Sequence, residues 1–145
     1  ILPVSFVAGK KEIIDTLTPG SEGSTFGGYP LASVVGVYAI KTLVDLKLAE
    51  NARVRGEQLM NHFNDIKNEF PDKIKETRGK GLLTAFEMHD EKHLDGHKVS
   101  VELLNQGVYA KETHHSTVRV APALTIESWQ IDNMAEKLHK VIKEL

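Results

Sequence analysis

Gly20-Ser21-Glu22-Gly23-Ser24-Thr25-Phe26-Gly27-Gly28-Tyr29-Pro30 sets four glycines, three Ser/Thr hydroxyls and a proline directly ahead of a long apolar segment. Glycine lets the backbone take positive φ and come close to a ligand, and Ser24 and Thr25 each carry a donor suited to a phosphate oxygen. Many phosphate cradles are made this way. The same residues also read as a tight connection whose hydroxyls cap the next helix, because Gly/Ser clusters are common turn chemistry. Neither the dinucleotide fingerprint nor the Walker pattern is present, and Gly79-Lys80-Gly81 lacks a Gly-rich run before its lysine.

Upstream of this loop, residues 2–8 are rich in β-formers and predict a short strand. A turn at Gly9-Lys10-Lys11 leads to a brief helix over about 12–17, ended by Pro19-Gly20. Downstream, Leu31, Val34, Val35, Tyr38, Leu43 and Leu46 recur at helical spacing through about residue 47. Ala32, Ser33, Gly36 and Ala39 lie on the same helix. Small side chains allow close approach, so this reads as a buried or interface helix linking two regions.

Further on, Ala52, Gly56, Leu59, Met60, Phe63 and Ile66 mark one face of a helix over 49–69, closed by Phe70-Pro71. Residues 74–78 and 82–88 read as strands around Gly79-Lys80-Gly81, and 89–94 as a polar loop. A helix over 95–105 ends at Gly107, where a left-handed residue is expected. Residues 108–111 and 117–121 are short strands around the loop 112–116. Ile131, Met134, Leu138, Val141, Ile142 and Leu145 trace a stripe on a last helix that starts near Ser128. This order predicts an α/β or α+β arrangement with helices packed on one sheet, in a domain 48–145 preceded by 1–47.

The loop resembles a segment of the ornithine aminotransferases, Gly-Ser-Thr-Tyr/Phe-Gly-Gly-Asn-Pro-Leu, matched here by Gly23-Ser24-Thr25-Phe26-Gly27-Gly28 and Pro30-Leu31. Pro3-Val4-Ser5, Arg78-Gly79-Lys80-Gly81-Leu82-Leu83, Lys111-Glu112-Thr113-His114 and Val118-Arg119-Val120-Ala121-Pro122 match in the same order. Tyr29 stands where that family usually has Asn, and Glu22 where it often has His. Those proteins are fold-type I, class III enzymes that depend on pyridoxal 5′-phosphate. The resemblance implies that 48–145 is the α+β C-terminal small domain of such a transferase. Residues 1–47 would be the tail of its large cofactor domain, with a mostly parallel sheet upstream.

The implied activity is transfer of the δ-amino group of ornithine to 2-oxoglutarate, in a homodimer with shared active sites. Ser24 and Thr25 match residues that reach across the dimer to the phosphate of the neighbouring subunit's cofactor, a dianion suited to charge-assisted hydrogen bonds. Arg119 matches the strand arginine that holds a substrate α-carboxylate. The catalytic Schiff-base lysine would lie upstream of Ile1, so the segment alone is expected to be inactive and to be the C-terminal part of a longer enzyme. The rivals are another class III aminotransferase, for acetylornithine or 4-aminobutyrate, and a non-catalytic fragment or dimerisation module.

Residue chemistry is consistent with part of this. Arg119 lies between Val118 and Val120 in an apolar strand, where a charge is costly unless paired. Its guanidinium reads either as reaching a surface carboxylate or as a planar fork for a ligand carboxylate, a role lysine does not fill. Lys10 and Lys11 read as solvated. His89, His93 and His97 recur at four-residue intervals and His114-His115 are adjacent, but the first set falls in a polar loop, and no metal site is expected. Arg78 and Lys80 read as structural salt links, and Trp129 as packing.

The 145 residues fit one domain, 41% hydrophobic and 26% charged, with a formal net charge of −2. With a pI near 6.4 and interspersed charges, neither nucleic acid nor a membrane surface is an expected partner. The apolar start has no basic region ahead of it and reads as neither a secretory signal nor a membrane span. The absence of cysteine excludes a disulfide framework and is compatible with a reducing cytoplasm. The resemblance adds a mitochondrial matrix if the source is eukaryotic.

Overall fold

The computed structural model describes residues 2–89 and 95–145, which divide into two compact units, Ile1–Leu46 and Lys47–Leu145. In the first, α1 (Lys11–Ile14) precedes the glycine-rich loop and α2 (Pro30–Asp45) follows it. Pro30 begins α2 at the position where a missing N–H is harmless and a fixed φ helps. The predicted strand over 2–8 is not formed, and those residues run without ladder bonds. A strand needs a neighbour to pair with, and none is present among the described residues of this unit. Of the two readings of α2, buried or interface, the buried one is not realised. None of its residues is buried, and Val34, Val37, Tyr38, Ile40 and Val44 are exposed.

The second unit begins at Lys47, whose left-handed φ of 50° leads into α3 (Leu48–Glu69). Strands β1 (Ile74–Lys80) and β2 (Leu83–Met88), helix α4 (Gly96–Asn105), strands β3 (Lys111–Thr113) and β4 (Thr117–Val120), and helix α5 (Ser128–Glu144) follow. The strands form one antiparallel sheet in the order β1-β2-β4-β3. This is the mixed α/β arrangement expected, with every helix of the unit on one face.

Alternation along β2 and β4 decides that face. Thr84, Phe86 and Met88 alternate inward from β2, and Val118 and Val120 from β4. They meet Leu59, Phe63 and Ile66 of α3, Val99 and Leu103 of α4, and Ile131, Leu138, Val141 and Ile142 of α5. Phe63 and Phe86 pack edge to face, with ring centroids 5.5 Å apart. The hydroxyl of Thr84 is satisfied by donating to the Val120 carbonyl at 2.7 Å. Close packing of α3 on the sheet depends on Gly56, because a Cβ there would lie 2.2 Å from the Gly81 carbonyl oxygen.

Helices α3 and α5 run parallel in register. Gln58 meets Ser128, His62 meets Asp132, and Glu69 meets His139, each pair 70 residues apart. Lys73 donates to the Ile142 and Lys143 carbonyls at the end of α5, where a cation is favoured. Asp95 caps α4 by accepting from the His97 N–H, and Glu127 and Gln130 form a capping box on α5. Gly107 closes α4 with φ 80°, as predicted. Trp129 corrects the packing reading. It is 63% exposed on the first turn of α5, off the buried stripe, with its indole N–H donating to Glu127.

Candidate functional site

The glycine-rich loop folds back on itself through hydrogen bonds from the Gly27 N–H to the Ser24 carbonyl and from the Tyr29 N–H to the Phe26 carbonyl. Gly28 takes φ 71°, which strains any other residue, and a Cβ at Gly27 would sit a tight 3.1 Å from the Ser24 oxygen. A cleft of about 240 Å³ lies beside it, lined by Pro3, Val4, Ser5, Ser24, Gly27 and Tyr29 among others. Ser24 lines the cleft, and Thr25 is adjacent in the loop but not part of that wall.

The hydroxyls of this unit fall into two groups. Thr16, Ser21, Ser33 and Thr42 each donate to a carbonyl three or four residues back. Ser5, Thr18, Ser24 and Thr25 have no side-chain hydrogen bond among the described residues and are exposed, and of these Ser24 and Thr25 belong to the glycine-rich bend. Neither of these two caps α2, whose N-cap is Tyr29 without a side-chain bond. The turn-and-cap reading of these two hydroxyls therefore finds no support in the geometry. A concave glycine bend with free donors fits a phosphate group.

Arg119 lies in the second unit, on β4, and points to the sheet face opposite the helices, between inward-facing Val118 and Val120. Its register partners are Ala85 on β2 and Lys111 on β3. Of the four arginines, Arg53 pairs with Glu50 and Glu57, Arg55 donates to Gln58, and Arg78 pairs with Glu87. Arg119 has no ion pair or side-chain hydrogen bond among the described residues, so the surface-carboxylate reading is not realised. The carboxylate diagonal to it, Glu87, is taken by Lys75 and Arg78, both at 2.9 Å. Lys75 first and then Arg78 hold the Glu87 carboxyl below the usual carboxylate range, and Glu87 raises the Arg78 guanidinium in turn.

The other singled-out residues have structural surroundings. His114 and His115, at φ 53° and 61°, turn the β3–β4 hairpin, and the His115 carbonyl accepts the Gly96 N–H at the start of α4. His97 lies 3.3 Å from Glu112, and His93 falls outside the described residues. Among the described residues no three His, Asp or Glu side chains are grouped to hold a metal. Lys11 is exposed and ion-paired with Asp15, while Arg78 makes the salt link expected of it. No helix among the described residues is long and apolar enough to cross a membrane.

Comparison with known proteins identifies the family. The family model described as aminotransferase class-III matches residues 2–142. The chain belongs to the class III aminotransferases. This family depends on pyridoxal 5′-phosphate, whose phosphate matches the chemistry offered by the loop. The mitochondrial ornithine aminotransferase of Arabidopsis thaliana is 39% identical over 145 residues, covering 99% of this chain and 30% of that protein. A crystal structure of the ornithine aminotransferase from Toxoplasma gondii superposes with a TM-score of 0.85 at 34% identity, over 94% of this chain and 32% of that one. The acetylornithine aminotransferase from Elizabethkingia anophelis gives 0.83 at 34% identity, over 92% and 33%. The chain spans about a third of the length of the relatives it matches.

Proposed function

We propose that this class III aminotransferase chain is the C-terminal part of an ornithine δ-aminotransferase, which moves the δ-amino group of ornithine to 2-oxoglutarate and yields glutamate semialdehyde and glutamate. The observation that carries the reading is Arg119, a guanidinium in mid-strand between two buried valines with no protein partner among the described residues. Arg119 is exposed on the opposite face with its five donors free of protein partners, and a planar fork of this kind suits a carboxylate ligand. When bound, pyridoxal 5′-phosphate would supply the electron sink that lets one site serve both the amino donor and the oxo-acid acceptor.

In this reading Ser24 and Thr25 donate their hydroxyls to the cofactor phosphate of the neighbouring subunit, so two chains make each active site. Arg119 fixes the α-carboxylate of 2-oxoglutarate or glutamate, which orients the reacting carbon and excludes neutral analogues. The lysine that would hold the cofactor covalently is proposed to lie in a longer polypeptide. The exposed apolar residues of α2 agree with this, since such a helix normally has a covering partner. Bacterial and mitochondrial relatives are consistent with a cytoplasmic or matrix enzyme.

The test is Arg119→Ala in the full-length enzyme. The half-reaction with glutamate should lose about a hundredfold in kcat/KM, the size expected when a charge-assisted bidentate contact is removed. An unchanged half-reaction would remove the assignment. The near-equal likeness to an acetylornithine aminotransferase keeps that donor as the second reading, and turnover of ornithine against N-acetylornithine separates the two.

A further inference from the structure

Sheet register sets Lys111 directly opposite Arg119, on the adjacent strand and the same face. The alternation on β3 agrees, since Glu112 is the register partner of inward-facing Val118 and Lys111 is exposed. Directly paired residues hold their Cβ atoms about 5 Å apart. A lysine ammonium and an arginine guanidinium projecting from such a pair can converge on a single small anion.

Two like charges at directly opposed sheet positions destabilise the pairing unless something neutralises them. Arg78, two strands away in the same row, shows the protein's usual solution, with Glu87 at 2.9 Å and Glu76 at 3.5 Å. Lys111 and Arg119 have no such carboxylate. Neither makes an ion pair among the described residues, and Glu87 is already held by Lys75 and Arg78. Between Arg119 and Arg78 the row has only Ala85, whose methyl group leaves the space above Arg119 open. Both side chains are exposed on one face of the hairpin, so a single anion between them could meet both.

We infer that Lys111 is a second substrate-carboxylate ligand, gripping together with Arg119 the α-carboxylate of the 2-oxo acid. This rests on the reading of Arg119 given above. Arg119 supplies the planar fork that fixes orientation, and Lys111 supplies a compact charge that raises affinity for the anion from the open edge of the site. The pair would discriminate for an anionic acceptor and against a neutral one.

The experiment measures KM for 2-oxoglutarate in the full-length, cofactor-loaded enzyme for wild type, Lys111→Met, Lys111→Arg, Arg119→Ala and Lys98→Met. Lys98 is an exposed lysine on α4, in the helical layer, and serves as a charge control. Lys111→Met should raise KM about tenfold, the loss expected for one charge-assisted contact, while Lys111→Arg stays near wild type and Lys98→Met is unchanged. The rise of KM with added salt should be shallower in Lys111→Met, a readout that a purely structural role would not move. An unchanged KM in Lys111→Met alongside a large effect of Arg119→Ala overturns this inference and leaves the reading of Arg119 standing. Unchanged values in both overturn both. Lys111→Gln, which keeps a polar edge residue, repeats the test if the Met variant does not fold.

Discussion

At the scale of single residues, the proposed function rests on groups that have no protein partner among the described residues. Ser24 and Thr25 keep free hydroxyls where four neighbouring Ser and Thr residues donate to their own backbone. Replacing both by Ala in the full-length enzyme should weaken pyridoxal phosphate binding about tenfold or more, since two hydrogen bonds to a charged phosphate are lost. Titration followed by cofactor absorbance checks this, and an unaltered affinity would mean that neither hydroxyl meets the phosphate. Both residues were singled out as candidates from the sequence because glycines flank them, and Arg119 because a charge stood between two valines. Lys111 was not, because its relation to Arg119 exists only once the hairpin register is known. The signal was the eight-residue spacing across a turn, which has no meaning until His114 and His115 fix where the chain reverses.

At the scale of elements, apolar periodicity found what packs within the second unit. The faces expected on α3 and α5 are those that meet the sheet, because their repeating residues have a partner nearby. The same reasoning misplaced residues 2–8 as a strand and found α2 as a helix but not as a buried one, since neighbours for both are absent from the described residues of the first unit. Gly56 was read as part of an apolar face, but its role is proximity. Substitution by Ala favours the helix by up to about 1 kcal/mol in propensity. It also places a methyl 2.2 Å from the Gly81 oxygen, a backbone atom that cannot swing aside. The clash should win, with Gly56→Ala losing about 2 kcal/mol in urea denaturation. A midpoint equal to wild type would show that α3 can move off the β1–β2 turn at little cost.

At the scale of the whole molecule, the chain is two units joined at Leu46 and Lys47, and charge organises the open sheet face of the second. Sequence composition gave no hint of that organisation, because Lys75, Arg78 and Glu87 become neighbours only through strand pairing. Glu87 titrates below its ordinary value when folded, so its contribution to stability is complete above the unfolded value of about 4 and is lost as pH falls through the folded value. Thermal midpoints should therefore drop on acidification below about pH 4, and Glu87→Gln should flatten that drop. At neutral pH the variant should be less stable by about 1 kcal/mol or less, because both cations are half-exposed and screened. An acid limb identical to wild type in the variant would assign the loss to other carboxylates.

The parallel pairing of α3 and α5 has a consequence for how the second unit comes into being. These helices are its first and last elements, and four residues of α5 are in the shared core. Contacts between distant positions make closure slow and late. On the ribosome, α3 and the sheet emerge before α5, and the apolar faces that α5 covers stay open until it can dock beside α3. The nascent protein thus has an interval in which part of its core is open to chaperones, and a defect in α5 would prolong that interval even if every residue of the candidate site were intact.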